Sequence, residues 1–231
     1  MIKHHPSEEW LTKFVSGDLP ASISSAIAIH AEMCPVCQAQ IELLTEKAAT
    51  ALEISEAPLV ASNQSNDEVT ADFSLYGLDI DDMIADITSD ISIEPATASA
   101  NLTLEVKGNS YPLPRALNAI DMGSFSGLGK ISRAKLQLNE GEIHTHLLHM
   151  EAGGKVPVHT HKGYELTLLL AGTFSDDMGE YSPGDFILLD GQHQHQPYSK
   201  DGCLCLTVVN DALHFTQGIS KLLNPIGQYI Y

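Results

Sequence analysis

Two His-Thr-His triplets lie in the second half of the chain, at 144–146 and 159–161. The second triplet belongs to the pattern G-x5-H-x-H-x3-E-x6-G, which places a glutamate four residues after its last histidine. Side chains alternate between the two faces of a β-strand, so His159, His161 and Glu165 would all point the same way. Imidazole and carboxylate groups are ligands for divalent transition metals. The spacing therefore predicts three ligands of one metal site, with a fourth from another strand.

The first triplet lacks this setting. Met150 stands four residues after His146, where the second triplet has its glutamate, and nothing nearby completes a cage. We therefore interpret His144 and His146 as ordinary strand or pocket histidines. For the fourth ligand of the second triplet, the segment GDFILLDGQHQHQPYS offers two candidates, His193 and His195, which would share one strand face.

A second group of ligand types lies near the N-terminus. The motif H-x3-C-x2-C brings His30, Cys34 and Cys37 together in a predicted turn between two helices. Two thiolates and one imidazole need one more ligand for a closed tetrahedral zinc site, and the pair His4 and His5 can supply it by folding back. A closed site of this kind is structural. Thioredoxin-like folds also use a C-x2-C pair, but no βαβ pattern surrounds this one.

Helices are expected to position this second group. Residues 7–17 combine a capping serine, two acidic residues in the first turn and a terminal glycine. A second helix is predicted after Asp18, and a third begins at Pro35, a tolerated first position. The composition of residues 55–71 favours a loop or linker.

A fourth helix is predicted at 79–91, where apolar residues recur at helical spacing and aspartates cover the other side. The apolar stripe consists of Ile80, Met83, Ile84, Ile87 and Ile91. A stripe of this kind fits either a bundle helix with a solvated acidic face or a helix that docks on a partner. Pro95 ends the helical pattern, and a second linker follows it.

From residue 101 onward, short β-rich runs alternate with Gly, Pro, Asn and Asp, which is typical of an all-β sandwich or barrel. The sequence therefore predicts an α+β protein with two domains. Residues 1–95 are expected to form a small, zinc-stabilised helical bundle, and residues 96–231 an all-β domain.

The charge distribution limits the partners. The net charge is −18, and residues 1–100 carry 17 Asp and Glu against 3 Lys and Arg. Direct nucleic-acid binding needs cations for the phosphates, so it is not expected, whereas a basic protein partner is. No apolar run reaches the ~18 residues of a membrane span, and no secretory h-region is evident at the N-terminus. We expect a soluble cytoplasmic protein with reduced cysteines and no membrane partner.

The pattern around the second triplet resembles the first motif of the cupin family, small jelly-roll β-barrels with a metal inside. The second cupin motif, roughly G-x5-P-x-G-x2-H-x3-N, is matched in part from Gly184. The sequence departs from it at Asp190, Gln192 and Ser199. The resemblance implies His195 rather than His193 as the fourth ligand, and zinc or another divalent transition metal in the site.

The H-x3-C-x2-C motif with an upstream histidine is similar to the zinc-binding domain of anti-sigma factors. Joined to a C-terminal cupin, it makes the chain resemble the ChrR family of anti-sigma factors over nearly its whole length. The resemblance implies a structural zinc site whose ligands are, by position, His5, His30, Cys34 and Cys37. His4 is the rival of His5, and only alignment register separates the two.

The same resemblance implies a function. The partner would be an extracytoplasmic-function sigma factor, gripped in part by the fourth helix. Singlet oxygen or a related oxidant would trigger release through the metal-binding cupin, where a small-molecule ligand can also bind. Members of this family carry two cysteines where this chain has Cys203 and Cys205. These cysteines could be buried structural thiols or oxidation targets. Because they lie two residues apart on one predicted strand, their geometry is poor for a disulfide.

Two other functions fit parts of the sequence. A dioxygenase-like cupin metalloenzyme with a helical oligomerisation domain would use the same histidines and glutamate with a redox metal. A metal-storage protein would not need two single, specific sites. The anti-sigma function is favoured because a zinc hairpin and a long acidic helix have no role in catalysis. We therefore expect a protein that is not an enzyme, and we assign no catalytic residue.

Overall fold

The computed structural model describes residues 1–56, 80–89, 102–211 and 213–215. The helices are α1 (Glu8–Ser16), α2 (Ala21–Met33), α3 (Pro35–Glu56) and α4 (Ile80–Ser89). A short 3-10 helix spans Arg115–Leu117. The strands are β1 (Thr103–Val106), β2 (Asn109–Pro112), β3 (Ser126–Leu128), β4 (Ile131–Leu136), β5 (His144–Met150), β6 (Gly154–Lys155), β7 (His159–His161), β8 (Tyr164–Gly172), β9 (Phe174–Asp176), β10 (Gly179–Tyr181), β11 (Phe186–Asp190), β12 (Tyr198–Ser199), β13 (Cys203–Val209) and β14 (Leu213–Phe215). Helices thus precede an all-β region, as predicted.

Antiparallel pairing organises the strands. The largest sheet has the order β11-β8-β13-β5-β4-β3, and a smaller one has the order β10-β9-β12-β6. β7 pairs with β14, and β1 pairs with β2. Every residue of β13 is buried, because this central strand is paired on both sides and covered on both faces.

Packing divides the chain into two units. The first contains Met1–Thr50 together with Asn101–Tyr231, and the second contains Ala51–Ala100. The first helices therefore share a unit with the strands. The predicted boundary between residues 95 and 96 and most of both predicted linkers lie outside the described residues, so the proposed two-domain division stays a prediction.

The first helix has the ends that its sequence predicts. Ser7 caps its N-terminus by accepting a hydrogen bond from the Trp10 N–H at 3.4 Å. Gly17 ends it in the left-handed region, at φ 76°. Such a conformation costs glycine little, because it has no Cβ.

The second helix joins the helical and β regions. Its sequence is apolar or small on nearly every side, which is typical of a buried helix. It packs against β8 and β13, and Ile27 and Leu206 belong to one hydrophobic core. At its start, the Ser22 N–H donates to the Glu140 carboxylate at 3.1 Å. A carboxylate of the β region thus satisfies the otherwise uncapped N-terminus of α2.

The fourth helix, considered within its own unit, exposes three residues of its apolar stripe. Met83, Ile84 and Ile87 are 49%, 54% and 72% exposed. The last residues of the predicted helix, Asp90 and Ile91, lie outside the described residues. No described helix is both long enough and apolar enough to cross a membrane.

Two candidate metal centres

The successive strands β7 and β8 place three potential ligands on the inside of the β region. His159 and His161 lie on β7 and Glu165 on β8, and all three side chains are buried. Gly163 forms the turn, where a Cβ would collide with the side-chain oxygen of Asn210. That oxygen accepts a backbone N–H at the start of β8 at 2.7 Å. Glycine at this position leaves room for the Asn210 side chain, which holds the start of β8.

His195 joins these three residues from the loop after β11. Its backbone exchanges two hydrogen bonds of 3.1 Å with His159. Its Nε2 lies 3.0 Å from His159 Nε2 and 3.5 Å from His161 Nε2. The Glu165 Oε2 is 2.8 Å from His161 Nε2 and 3.4 Å from His195 Nε2. Ligands at about 2.0–2.2 Å from one ion lie roughly 3.0–3.5 Å apart, so these four residues, the His3Glu cage, could hold a metal ion.

Hydrogen bonds on the outer side orient two of the three imidazoles. His159 Nδ1 donates to the Pro157 carbonyl at 2.9 Å, and His195 Nδ1 donates to Asp176 Oδ2 at 3.1 Å. Because Nδ1 donates outward in each ring, Nε2 is the nitrogen that would bind a metal in the cage. A carboxylate behind a ligand imidazole fixes the ring and raises its basicity. Asp176 also accepts a hydrogen bond from the Tyr181 hydroxyl at 3.1 Å.

The environment of the metal-free cage separates the pKa values of its members. Burial lowers the pKa of His159 to about 4. Burial also opposes the charged form of His195, but hydrogen bonds to Asp176 and Glu165 outweigh it and raise the pKa to about 9. Against burial, hydrogen bonds from His161 and His195 hold the pKa of Glu165 well below its usual range. An arriving cation must therefore displace a proton from His195.

A cavity of about 500 Å³ adjoins the cage. Its lining includes three cage residues, His159, Glu165 and His195. Its apolar wall includes Ile131, Leu148, Met150, Phe174 and Ile187. A volume of this size lies within the usual range of small-molecule sites, roughly 300–1,000 Å³. The His3Glu cage thus faces an apolar chamber on one side.

The other candidate histidines lie elsewhere. The His193 side chain is 47% exposed, and its Nδ1 lies 2.7 Å from Asp190 Oδ1. The structure therefore brings His195, and not His193, to the cage. His144 and His146 lie on β5 and belong to neither ligand group found among the described residues. Burial lowers the pKa of His146 to about 4, so this imidazole is neutral within the sheet.

The junction of α2 and α3 assembles the second ligand group. His30 lies in the last turn of α2, Cys34 at its C-cap and Cys37 in the first turn of α3, and all three are buried. His30 Nε2 is 3.2 Å from Cys37 Sγ. His5 Nδ1 completes the group, 3.4 Å from Cys34 Sγ and 3.5 Å from Cys37 Sγ. These separations match the roughly 3.3–3.8 Å edges of a tetrahedral zinc site, so this His2Cys2 cluster could also hold a metal.

The structure distinguishes His5 from His4 as the fourth ligand of the cluster. The His4 ring lies 5.0 Å from the ring of Tyr181, away from the thiols. Backbone hydrogen bonds hold the segment in place: the His4 carbonyl accepts the Phe186 N–H at 3.0 Å, and the Lys3 and His4 N–H groups donate to Asp185 Oδ1 at 2.6 Å and 2.9 Å. His5 follows directly, so an ordered N-terminal segment presents it to the cluster.

Protonation also governs this cluster. Burial and the neighbouring Cys34 thiol raise the pKa of Cys37 to about 12. Burial lowers the pKa of His30, and its Nδ1 donates to the Gly184 carbonyl at 2.7 Å, which leaves Nε2 free as the ligand atom. Because thiolates rather than thiols bind metals, an incoming ion must displace the Cys37 proton.

The remaining cysteines form a buried pair on β13. Cys203 and Cys205 are free thiols with their sulfurs 4.0 Å apart, about twice the length of a disulfide bond. Cys205 also lies in the lining of the cavity. The structure is therefore consistent with buried structural thiols, and it places one of them near the cage.

Sequence reasoning missed the supporting residues Asp176, Tyr181 and Asp185. Asp176 orients His195 across 19 residues of sequence, and Asp185 holds His4 across 181. Turn-rich segments surround all three, which predicts loops but no ligand contacts. Only the tertiary structure reveals their partners.

The comparisons with known proteins cover both regions. Residues 124–212 match the family described as the ChrR cupin-like domain. The anti-sigma-E factor ChrR of Cereibacter sphaeroides is 29% identical over 226 residues, which are 97% of this chain and 97% of that protein.

A solved structure that is similar over most of this chain shows the same fold. A chain in the crystal structure of Rhodobacter sphaeroides SigE in complex with the anti-sigma ChrR matches with 24% identity and a TM-score of 0.61, covering 90% of this chain and 99% of that one. An RmlC-like cupin from Ralstonia eutropha JMP134 matches with 16% identity and a TM-score of 0.38, covering 43% of this chain and 69% of that one. Residues 124–212 are therefore similar to the ChrR cupin-like domain, and the chain is similar to ChrR over nearly its whole length.

Proposed function

We propose that this protein is an anti-sigma factor that binds and sequesters an extracytoplasmic-function sigma factor. The observation that carries the proposal is the similarity to the anti-sigma-E factor ChrR along 97% of both chains. The similarity includes the helices with the His2Cys2 cluster, and a cupin enzyme alone would not need to share them. We therefore assign a regulatory role rather than the alternative dioxygenase-like one.

Exposed apolar side chains offer surfaces for the sigma factor. On α3, Val36 is 65% and Leu43 is 49% exposed, beside the exposed carboxylates Glu42 and Glu46. On α4, taken by itself, Met83 and its apolar neighbours are exposed between aspartates. Apolar residues flanked by carboxylates suit a partner surface with an apolar centre and basic rim. The acidic charge disfavours direct contact with nucleic acid.

The two metal centres receive different roles in this proposal. Zinc is assigned to the His2Cys2 cluster, because two thiolates and two imidazoles complete a closed tetrahedral shell. There it would stabilise the helical hairpin and hold the N-terminal segment. The His3Glu cage would bind zinc or another divalent transition metal and face a cavity for a small molecule.

The cage and its cavity support a sensory role for the β region. An oxidative signal, singlet oxygen or a related oxidant, would act there and release the sigma factor. Residues 1–95 would form the sigma-binding domain and residues 96–231 the sensing domain. The place of action would be the cytoplasm, where sigma factors meet RNA polymerase.

Co-purification tests the proposal. The full chain is co-expressed with each extracytoplasmic-function sigma factor of the source genome, beside the variants His30→Ala and Cys34→Ala and the control His193→Ala. We expect a stoichiometric, zinc-containing complex with one sigma factor, lost in the first two variants and kept in the control. If a folded, zinc-loaded chain captures no sigma factor, the proposal is wrong. The next assay would then be oxygen consumption by the iron-loaded cage.

A further inference from the structure

One loop of the β region holds the segment that carries a ligand of the His2Cys2 cluster. This loop, residues 181–186, connects β10 to β11, and the Asp185 side chain at its centre is fully buried. One oxygen of Asp185 accepts the Lys3 and His4 N–H groups, and the other accepts the N–H and hydroxyl of Ser182 at 2.8 Å and 3.2 Å. Asp185 therefore ties the N-terminal segment to the β region immediately before His5.

The same loop also orients a second ligand of the cluster. The Gly184 carbonyl accepts the His30 Nδ1 proton at 2.7 Å and so fixes which nitrogen faces the thiols. A Cβ at Gly184 would collide with the side chain of Ile2, so the N-terminal segment packs directly on the loop backbone. Two of the four ligands, His5 and His30, thus depend on the 181–186 loop for their positions.

The other end of the loop reaches the His3Glu cage. Tyr181, at the start of the loop, donates its hydroxyl proton to Asp176 Oδ1 at 3.1 Å, while Asp176 Oδ2 accepts the His195 Nδ1 proton at 3.1 Å. The Tyr181 ring also packs against the His4 ring at 5.0 Å. Asp176, Tyr181 and Asp185 therefore form a continuous set of contacts between the two metal centres, all within one packing unit.

We propose that Tyr181 and Asp185 couple the two metal centres, so that the state of the His3Glu cage sets the affinity of the His2Cys2 cluster for its metal. The proposal deepens the proposed function, on which its regulatory meaning rests, by naming a route from the sensing region to the sigma-binding region. Both residues act as positioning residues, because neither side chain faces a metal directly.

The physical basis is the outer hydrogen bonding of ligand imidazoles. When a metal holds His195 Nε2, the ring is fixed and Nδ1 stays aligned with Asp176, which in turn holds the Tyr181 hydroxyl. Without the metal, only hydrogen bonds hold the His195 ring, so Asp176 and the Tyr181–His4 contact are supported less rigidly than with a metal bound; removal of the His195 side chain takes this support away. Partners of this type typically change metal affinity about 10- to 100-fold. Coupling between binding sites is reciprocal, so metal at either centre would favour metal at the other.

Cobalt substitution of the full chain tests the coupling. Thiolate-bound cobalt has a near-ultraviolet charge-transfer band that reports only the His2Cys2 cluster, so its affinity can be measured beside an occupied cage. We expect His195→Ala to weaken cobalt binding at the cluster about 5-fold or more, and Asp185→Asn to weaken it about 10-fold or more. In Tyr181→Phe, which keeps the ring and removes only the hydroxyl, adding His195→Ala should have no further effect.

Matched controls are Tyr198→Phe and Asp201→Asn, both exposed residues of the β region, which should leave cobalt affinity unchanged. If Asp185→Asn does not fold, Ser182→Ala removes a single hydrogen bond to the same carboxylate and should weaken cobalt binding in the same direction. Two outcomes would overturn the proposal: cluster affinity that His195→Ala leaves unchanged, or an undiminished effect of His195→Ala in the Tyr181→Phe background. Because no sigma factor enters this assay, its failure is separate from failure of sigma capture.

Discussion

The two candidate metal centres of this protein differ in ligands, in surroundings and in exposure to a cavity. The His2Cys2 cluster has two thiols at a helix–helix junction, and none of its residues lies in the lining of the described cavity. The His3Glu cage has no thiol, lies between strands, and contributes three residues to the wall of an apolar chamber. A closed shell suits a structural metal, whereas a cage beside a cavity suits exchange with a small molecule.

Removing a thiol from the cluster should have the largest effect. Cys34→Ala is expected to abolish stoichiometric zinc at the cluster and capture of the sigma factor, while the cage keeps its metal. Structural zinc contributes on the order of 10–16 kcal/mol of apparent binding free energy in small zinc-finger peptides, so its loss should destabilise the hairpin strongly. Metal analysis and thermal unfolding provide the measurements. Val36→Ala, at an exposed position in the first turn of α3, is the control for zinc content; equal zinc loss there would contradict a direct role for Cys34.

Removing His195 from the His3Glu cage should cost the protein the metal ion of that cage. His195→Ala is expected to reduce the metal content from two ions to one per chain, because the cage keeps only three ligands. His193→Ala should retain both ions, since its side chain faces solvent beside Asp190. Elemental analysis of the purified variants measures the content. Equal loss in both would mean that the two histidines exchange roles in solution.

The N-terminal histidines provide a finer test of the cluster. His5→Ala removes the nitrogen that lies 3.4 Å from Cys34 Sγ, so zinc affinity should fall about 100-fold. His4→Ala keeps the backbone hydrogen bonds and should lower zinc affinity less than about tenfold, through the lost contact with Tyr181. Competition with a chromophoric chelator measures both affinities. A larger loss in His4→Ala would reverse the assignment.

Asp176→Asn tests the support of the cage without touching a ligand. The amide cannot replace the carboxylate that holds His195, so metal affinity at the cage should fall roughly tenfold. Calorimetric titration of the cage in the Cys34→Ala background isolates this effect. Asp177→Asn is the neighbouring control, and a comparable loss there would indicate a general charge effect.

The last prediction changes no residue and concerns pH. The pKa of His195 is raised to about 9 in the metal-free cage, so the imidazole is protonated at pH 7 and the metal must displace that proton. Apparent affinity at the cage should therefore rise about tenfold for each pH unit between pH 7 and about pH 8.5, and level off above pH 9. Titrations in buffers of different ionisation enthalpy count the released proton. A flat profile would show that His195 is neutral before the metal binds.

Ligand types and spacings made much of both sites predictable. The even spacing of His159, His161 and Glu165 predicts side chains that point the same way, although the structure divides them between β7 and β8. His30, Cys34 and Cys37 lie within two helical turns, so a helix–turn–helix brings them together by local geometry alone. The order of helices followed by strands was also predictable, because the apolar periodicity changes along the chain.

The sequence by itself determined which residue types could bind metal and which elements carry them, because both follow from local spacing. Tertiary structure decided the choice of His5 over His4 and of His195 over His193, since each pair is equivalent in its own segment. It also decided that Asp185 holds the N-terminal segment and that Asp176 and Tyr181 support His195. The contacts of Asp176 with His195 and of Asp185 with the N-terminal segment join residues 19 to 182 positions apart. Tyr181 lies in a turn-rich segment with no distinctive sequence pattern. Only the packing of the folded chain therefore selects these contacts.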